Sequence, residues 1–198
     1  MGKLRFFYGC MGSMKSATLL IKAYQFREAG ADVILLKPNF DDRWGVGEIK
    51  SRAVSKAEEC IVFAQDTNLH ELLCVKNHII LVDEVQFATS SHIEQLLKLS
   101  FDNEVYCYGI KNSYNNRLFP ASAELLVLAS TIEEIKCKCS RCNNKATTHL
   151  RLVNGQAVFS EEDSIVGDIV GSERYESVCQ ECWYEEYEKS LDIVPKIW

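Results

Sequence analysis

The chain has 198 residues, 47% hydrophobic and 25% charged, which is enough apolar material for one full core and a small satellite domain. A net charge of -6 argues against an affinity built on neutralising many phosphates, although an acidic protein can still carry a local basic patch, so long nucleic acid is not an expected partner. The opening run to Cys10 is too brief for a signal-peptide core, and no later window reaches ~18 apolar residues, so a soluble, cytoplasmic protein without a membrane partner is expected.

The first 130 or so residues alternate strand-like and helix-like segments, the pattern of a parallel sheet covered by helices. Leu4 to Tyr8 reads as a buried strand, and Ser16 to Ala29 as a helix stopped by Gly30. Val33 to Leu36 reads as a second strand, followed by a polar loop from Asn39 to Arg52. A short strand at Ile61 to Phe63, a helix from about Asn68 to Cys74 and a strand at Ile79 to Val82 come next. Ser91 to Leu99 has helical amphipathicity, Val105 to Tyr108 is strand-like, and Ala121 to Ala129 closes the region as a helix. Beyond Thr131 come short β-like stretches and paired cysteines, with no helix expected before Trp183 to Lys189. The expected fold is α/β, with a phosphate-loop domain at 1–135, a small zinc-ribbon region at 136–184 and a tail at 185–198.

Gly9-Cys10-Met11-Gly12-Ser13-Met14-Lys15-Ser16 lies between a strand and a helix, where a phosphate-cradling loop belongs. In such a loop backbone N–H groups face the phosphates, Lys15 reaches the β- and γ-phosphates, and Ser16 ligates magnesium. Met14 stands where the usual second glycine is favoured for close backbone approach, so a chance Lys-Ser after a glycine turn stays open on this segment alone. Ile79-Ile80-Leu81-Val82-Asp83-Glu84 is an apolar strand ending in two carboxylates, about seventy residues downstream. Asp83 is placed to hold the magnesium shell and Glu84 to take a proton from an attacking hydroxyl, against the plainer reading of a solvated turn.

Nine cysteines divide into scattered ones and a C-terminal group, Cys137, Cys139, Cys142, Cys179 and Cys182. Cys139-x2-Cys142 and Cys179-x2-Cys182, separated by 36 residues, form two knuckles able to close a four-thiolate structural zinc site. A Cys137/Cys139 pairing is a lesser alternative.

Asp83-Glu84-Val85-Gln86-Phe87 resembles the Asp-Glu-x-Gln-Phe motif of the thymidine kinases related to the cellular cytosolic enzyme. Lys37-Pro38, Asp41-Asp42-Arg43-Trp44, Ile49-Lys50-Ser51-Arg52, Tyr108-Gly109-Ile110 with Tyr114, and the Cys-x2-Cys pairs fall in that family's order from Leu4 to Cys182. The resemblance implies an ATP- and Mg2+-dependent thymidine kinase with structural Zn2+, usually a homotetramer and commonly inhibited by the triphosphate end product. Carried over by position, Glu84 is the general base, with Arg43 stabilising the transferring phosphoryl group and Asp41 near the nucleophile. Gly9 to Ser16, Asp83 and Gln86 form the ATP and magnesium set. Phe87, Ile110, Tyr114 and Tyr175 clamp the base with Met11 nearby, and a loop around Ile169, Val170 and Gly171 reads it through backbone groups.

The chain departs from the family at Met14, Cys10 and Gly12 in the phosphate loop, and at Ser113 and Tyr114, which replace an Asp-Phe pair. His70, His78 and His92 are expected to face solvent or cap elements, while His149 is a candidate substrate contact. Two other classes compete with an active kinase: a weakened nucleotide-binding relative acting as regulator, motivated by Met14, and a zinc-ribbon binding module.

Overall fold

The computed structural model describes residues 3–39, 47–159 and 173–192. Six strands form one parallel sheet: β1 (Leu4–Tyr8), β2 (Val33–Pro38), β5 (Ile61–Phe63), β6 (Ile79–Val82), β7 (Glu104–Gly109) and β8 (Thr131–Glu134), in the order β5-β2-β6-β7-β1-β8. The connections carry α1 (Lys15–Glu28), α2 (Leu69–Leu72), α3 (Ser90–Leu99) and α4 (Pro120–Leu128), and a hairpin of β3 (Glu48–Ser51) and β4 (Val54–Glu59). Parallel strands need both faces covered, and β6 shows why its sequence is continuously apolar. Ile80 and Val82 enter a core with Leu4, Phe6, Ile93 and Leu125, while Ile79 and Leu81 enter a second core with Leu19, Leu20, Tyr106 and Tyr108.

Helix starts follow local chemistry. Thr89 caps α3 by accepting from the His92 N–H, and His92 Nδ1 accepts from the Thr89 N–H, a capping box with histidine in the usual glutamate place. With Nδ1 accepting, His92 carries its proton on Nε2 and donates it to the Thr67 carbonyl at 3.0 Å. Pro120 opens α4, where a missing N–H costs nothing.

Two expectations change. The loop from Asn39 to Arg52 ends in a strand, because Ile49 is buried on α1 and the charged residues around it face outward across the hairpin. The last helix, α5, starts at Gln180 rather than Trp183 and runs to Asp192. Thr131–Glu134 joins the parallel sheet beside β1.

Contacts divide the chain into two compact units. One holds Met1–Tyr8, Met14–Lys111 and Phe119–Ile135, and the other holds Gly9–Ser13, Asn112–Leu118 and Lys136–Trp198. In the second, β9 (Thr148–Val153) lies between β10 (Gln156–Ala157) and β11 (Glu173–Val178) in an antiparallel sheet. Its core is Leu150, Val178 and Trp183 with three of the cysteines, and the Trp183 indole N–H donates to the Tyr114 carbonyl at 2.8 Å.

Candidate active site and metal centre

All six strands of the main sheet run the same way, so β1, β2, β6 and β7 end on one edge, where ligands of open α/β sheets bind. At the end of β6, Asp83 is 4% exposed and its Oδ1 has no hydrogen-bond partner. Burial pushes its carboxyl up to about 7, with neighbouring Glu84 adding to the rise, while the Ser16 hydroxyl and Lys15 pull the other way. A buried carboxylate with an unpartnered oxygen beside Ser16 and Lys15 is a donor set that fits a hard divalent cation.

Glu84 follows in the left-handed conformation, φ 49° and ψ 39°, a strained geometry that non-glycine residues adopt mainly where surroundings over-determine it. Gln86 provides part of that determination. Its Nε2 donates to Glu84 Oε2 at 2.6 Å, and its Oε1 accepts from the buried Ile110 N–H at 3.0 Å. Glu84 is half-buried, and the Gln86 contact orients its carboxylate. The Phe87 ring meets Phe119 edge-on at 6.2 Å, and both are half-buried. Phe119 is therefore a candidate aromatic contact that the sequence reading left without a role. Its sequence signals are the Leu118-Phe119 pair, which resembles a Leu-Phe pair of the family pattern, and its place directly before the helix-opening Pro120. Ile110 itself is 4% exposed. A cleft of about 280 Å3 opens beside Phe87, between Pro38 and Asn39 after β2 and Phe63 to Gln65 after β5, with His92 in its wall.

Helix α1 begins at Lys15 with Met14 as its cap residue, and neither a side-chain cap nor an acidic residue occupies its first turn. That end is left to an anion, which the helix dipole and the first-turn N–H groups favour. Met14 has φ 66° and ψ 29°, the left-handed geometry a glycine adopts without strain, and its side chain is 64% exposed. The side chain therefore points away from the core instead of filling it.

Gly9 to Ser13 belong to the second unit. The Met11 N–H donates to His149 Nε2 at 2.9 Å, and Ser177 Oγ donates to the Met11 carbonyl at 2.7 Å. Ser13 Oγ is buried without a partner, and its N–H donates to the Cys10 carbonyl. Tyr114 is 2% exposed, and Arg151 lies over its ring at 5.6 Å. Tyr175 meets Tyr114 edge-on at 6.4 Å. Glu173 takes Arg151 Nε at 2.6 Å and the Tyr175 hydroxyl at 3.1 Å, and that arginine holds its carboxyl below the usual range. Asp41, Arg43, Ile169, Val170 and Gly171 lie outside the described residues.

The sulfurs of Cys139, Cys142, Cys179 and Cys182 lie within 4.8 Å of one another, with Cys142 and Cys179 at 3.5 Å. Tetrahedral zinc with Zn–S bonds of ~2.3 Å sets sulfurs about 3.7 Å apart, so this donor set fits a closed four-thiolate site. Against the effect of burial, backbone N–H groups of Arg141, Cys179 and Cys142 bring the Cys139 thiol down to about 6. Cys137 stays outside this cluster.

A family model described as thymidine kinase matches residues 2–183. The chain is similar to a thymidine kinase of Streptococcus thermophilus (strain CNRZ 1066), 36% identical over 189 residues, covering 93% of this chain and 94% of that protein. It is also similar to one of Listeria innocua serovar 6a, 37% identical over 188 residues, covering 92% and 96%. A third, from Rhodopirellula baltica, is 35% identical over 206 residues, covering 98% and 94%.

Proposed function

The chain belongs to the thymidine kinase family, and from that premise we propose that it transfers the γ-phosphoryl group of ATP to the 5′-hydroxyl of thymidine, with deoxyuridine as a further acceptor. The observation that carries this reading is the end of β6, where a buried Asp83 beside Lys15 and Ser16 is followed directly by a Glu84 held in a strained, oriented conformation.

Phosphoryl transfer asks a protein mainly for positioning and electrostatic stabilisation. Lys15 neutralises the β- and γ-phosphates at the mouth of α1, whose dipole favours the same charge. Asp83 and Ser16 would hold Mg2+, which would supply positive charge against the negative charge that builds up during transfer. Glu84 accepts the proton of the 5′-hydroxyl as that oxygen attacks phosphorus, and Gln86 keeps the carboxylate aimed. Arg43 stabilises the transferring group and Asp41 stands by the nucleophile, roles that rest on the resemblance. Phe87 and Phe119 offer an aromatic corner to the base, with Ile110, Tyr114, Tyr175 and the backbone around Ile169 to Gly171 assigned to it by resemblance.

Zn2+ held by the four cysteines would be structural, since four thiolates leave no ligand position open for chemistry. Among the described residues no helix is long and apolar enough to cross a membrane. A homotetramer in the cytoplasm, inhibited by its triphosphate end product, is the assembly and setting the family resemblance suggests. The regulator reading gains nothing from Met14, whose backbone keeps the left-handed path that glycine would take.

The test is a comparison of native chain and Glu84→Gln at saturating ATP, Mg2+ and thymidine. Loss of a positioned general base lowers kcat by roughly 10²- to 10⁴-fold. An equally fast Glu84→Gln would remove Glu84 from this role.

A further inference from the structure

We infer that His149 and Ser177 are positioning residues for the phosphate loop, through which the zinc-held sheet sets the shape of the site for the nucleotide phosphates. The inference rests on the kinase reading and deepens its donor side.

Met11 sits in the middle of the loop, and both of its backbone polar groups are bound by side chains of one sheet. Its N–H donates to His149 Nε2 at 2.9 Å, and its carbonyl accepts from Ser177 Oγ at 2.7 Å. His149 on β9 and Ser177 on β11 are register partners, so the two side chains leave the sheet side by side. Because Nε2 accepts, the imidazole is neutral with its proton on Nδ1. His149 is 3% exposed, and an apolar ring in its place would leave the half-buried Met11 N–H without this acceptor.

The bracket fixes the two peptide planes flanking Met11, directly before Gly12. Gly12 has φ 74°, and a Cβ there would meet nothing within 4 Å. The loop thus has no packing of its own at Gly12, and the bracket upstream supplies the restraint that side chains do not. The same sheet edge is tied to the thiolate knuckles. The Ser140 N–H donates to the Ser177 carbonyl at 2.9 Å, and the Thr147 N–H to the Val178 carbonyl at 2.9 Å. Ser140 lies between Cys139 and Cys142, and Val178 directly precedes Cys179, so the path from metal ligands to Met11 runs through a handful of hydrogen bonds. This gives the zinc region an effect on the donor nucleotide in addition to any effect on the acceptor.

The experiment measures binding of Mg·ADP without thymidine, by calorimetry, to the zinc-loaded full chain and to His149→Phe, His149→Gln and Ser177→Ala. A glutamine puts an amide oxygen about where Nε2 lies, whereas phenylalanine fills the space and accepts nothing. We expect His149→Phe to weaken ADP binding about tenfold, Ser177→Ala about threefold, and His149→Gln to bind within about threefold of native. Melting curves on each variant show which are folded, and Ser177→Ala, a loss of one hydroxyl, keeps the test standing if His149→Phe does not fold. Folded His149→Phe or Ser177→Ala with native ADP affinity, or His149→Gln as weak as His149→Phe, would overturn the inference. A native chain that binds ADP but phosphorylates no thymidine would overturn the kinase reading while the variant series still decides this one. A native chain that binds no ADP would overturn both.

Discussion

Replacing Gly109 by alanine separates the support of Glu84 from Glu84 itself. Gly109 ends β7 against the turn that carries Glu84 and Gln86, and its own φ is not positive, so only space forbids a side chain there. A Cβ would lie 2.7 Å from Gln86 Oε1, 2.8 Å from Val85 Cγ1 and 3.3 Å from the Gln86 backbone nitrogen. Val85 is fully buried and Gln86 is 3% exposed, so neither has room to withdraw. Overpacking of this kind costs ~1–3 kcal/mol. Moving Gln86 also leaves the buried Ile110 N–H unpaired, for about 1–3 kcal/mol more. A loss near 3 kcal/mol corresponds to a fall in melting temperature of roughly 6–12 °C for a chain of this size. Because Gln86 Nε2 also orients Glu84 Oε2, kcat should fall at least about tenfold at a temperature where the variant is still folded. Differential scanning calorimetry and steady-state kinetics on Gly109→Ala check both numbers. A variant melting within about 1 °C of native with kcat within about twofold would refute the packing argument and the role given to Gln86.

Met14→Gly should leave the loop path unchanged and relieve ~1 kcal/mol of left-handed strain, offset in part by the flexibility glycine adds to the unfolded chain; urea midpoints and ATP titrations should therefore show a small stability change and ATP affinity equal to or tighter than native. Chelation of zinc should abolish thymidine phosphorylation and melt the second unit, while circular dichroism retains the signal of the parallel sheet and its helices, and re-addition of Zn2+ should restore activity. Asp83 gives a pH dependence of definite sign. Its folded pKa is raised from 3.8 to about 7, so its contribution to stability without cation is full below about 4 and is lost as pH rises through about 7. Mg2+ must displace that proton at low pH, so the gain in melting temperature on adding Mg·ATP should be larger at pH 8 than at pH 6, read by thermal shift. A larger gain at pH 6 would contradict the buried, cation-hungry state of Asp83.

Much of the fold was legible because its strands are short apolar runs, as in Ile79 to Val82, where both faces must be buried. The β3–β4 hairpin escaped because Glu48, Lys50, Glu58 and Glu59 look like loop, and among the described residues there only Ile49 is fully buried. Thr131–Glu134 is an edge strand half open to solvent, with Ile132 exposed, so it carries little hydrophobic signal. The cysteine cluster was readable from spacing alone, since a Cys-x2-Cys turn presents two sulfurs wherever it occurs. Asp83 and Glu84 were readable because they end a strand, but the left-handed backbone of Glu84 and its support by Gln86 and Gly109 depend on packing between β7 and the turn after β6. The partnership of Met11 with His149 and Ser177 joins residues far apart in sequence, and no local pattern announces it. The burial of Tyr114 beneath Arg151 was not legible either, because an aromatic in a motif gives no sign of how deeply it packs.

Thymidine kinase activity is read directly by incubating the zinc-loaded native chain with Mg·ATP and thymidine and following thymidine monophosphate and ADP together. The two products should form in equal amounts, and neither should form when thymidine is left out. ADP released without thymidine, or no thymidine monophosphate above a control lacking protein, would contradict it.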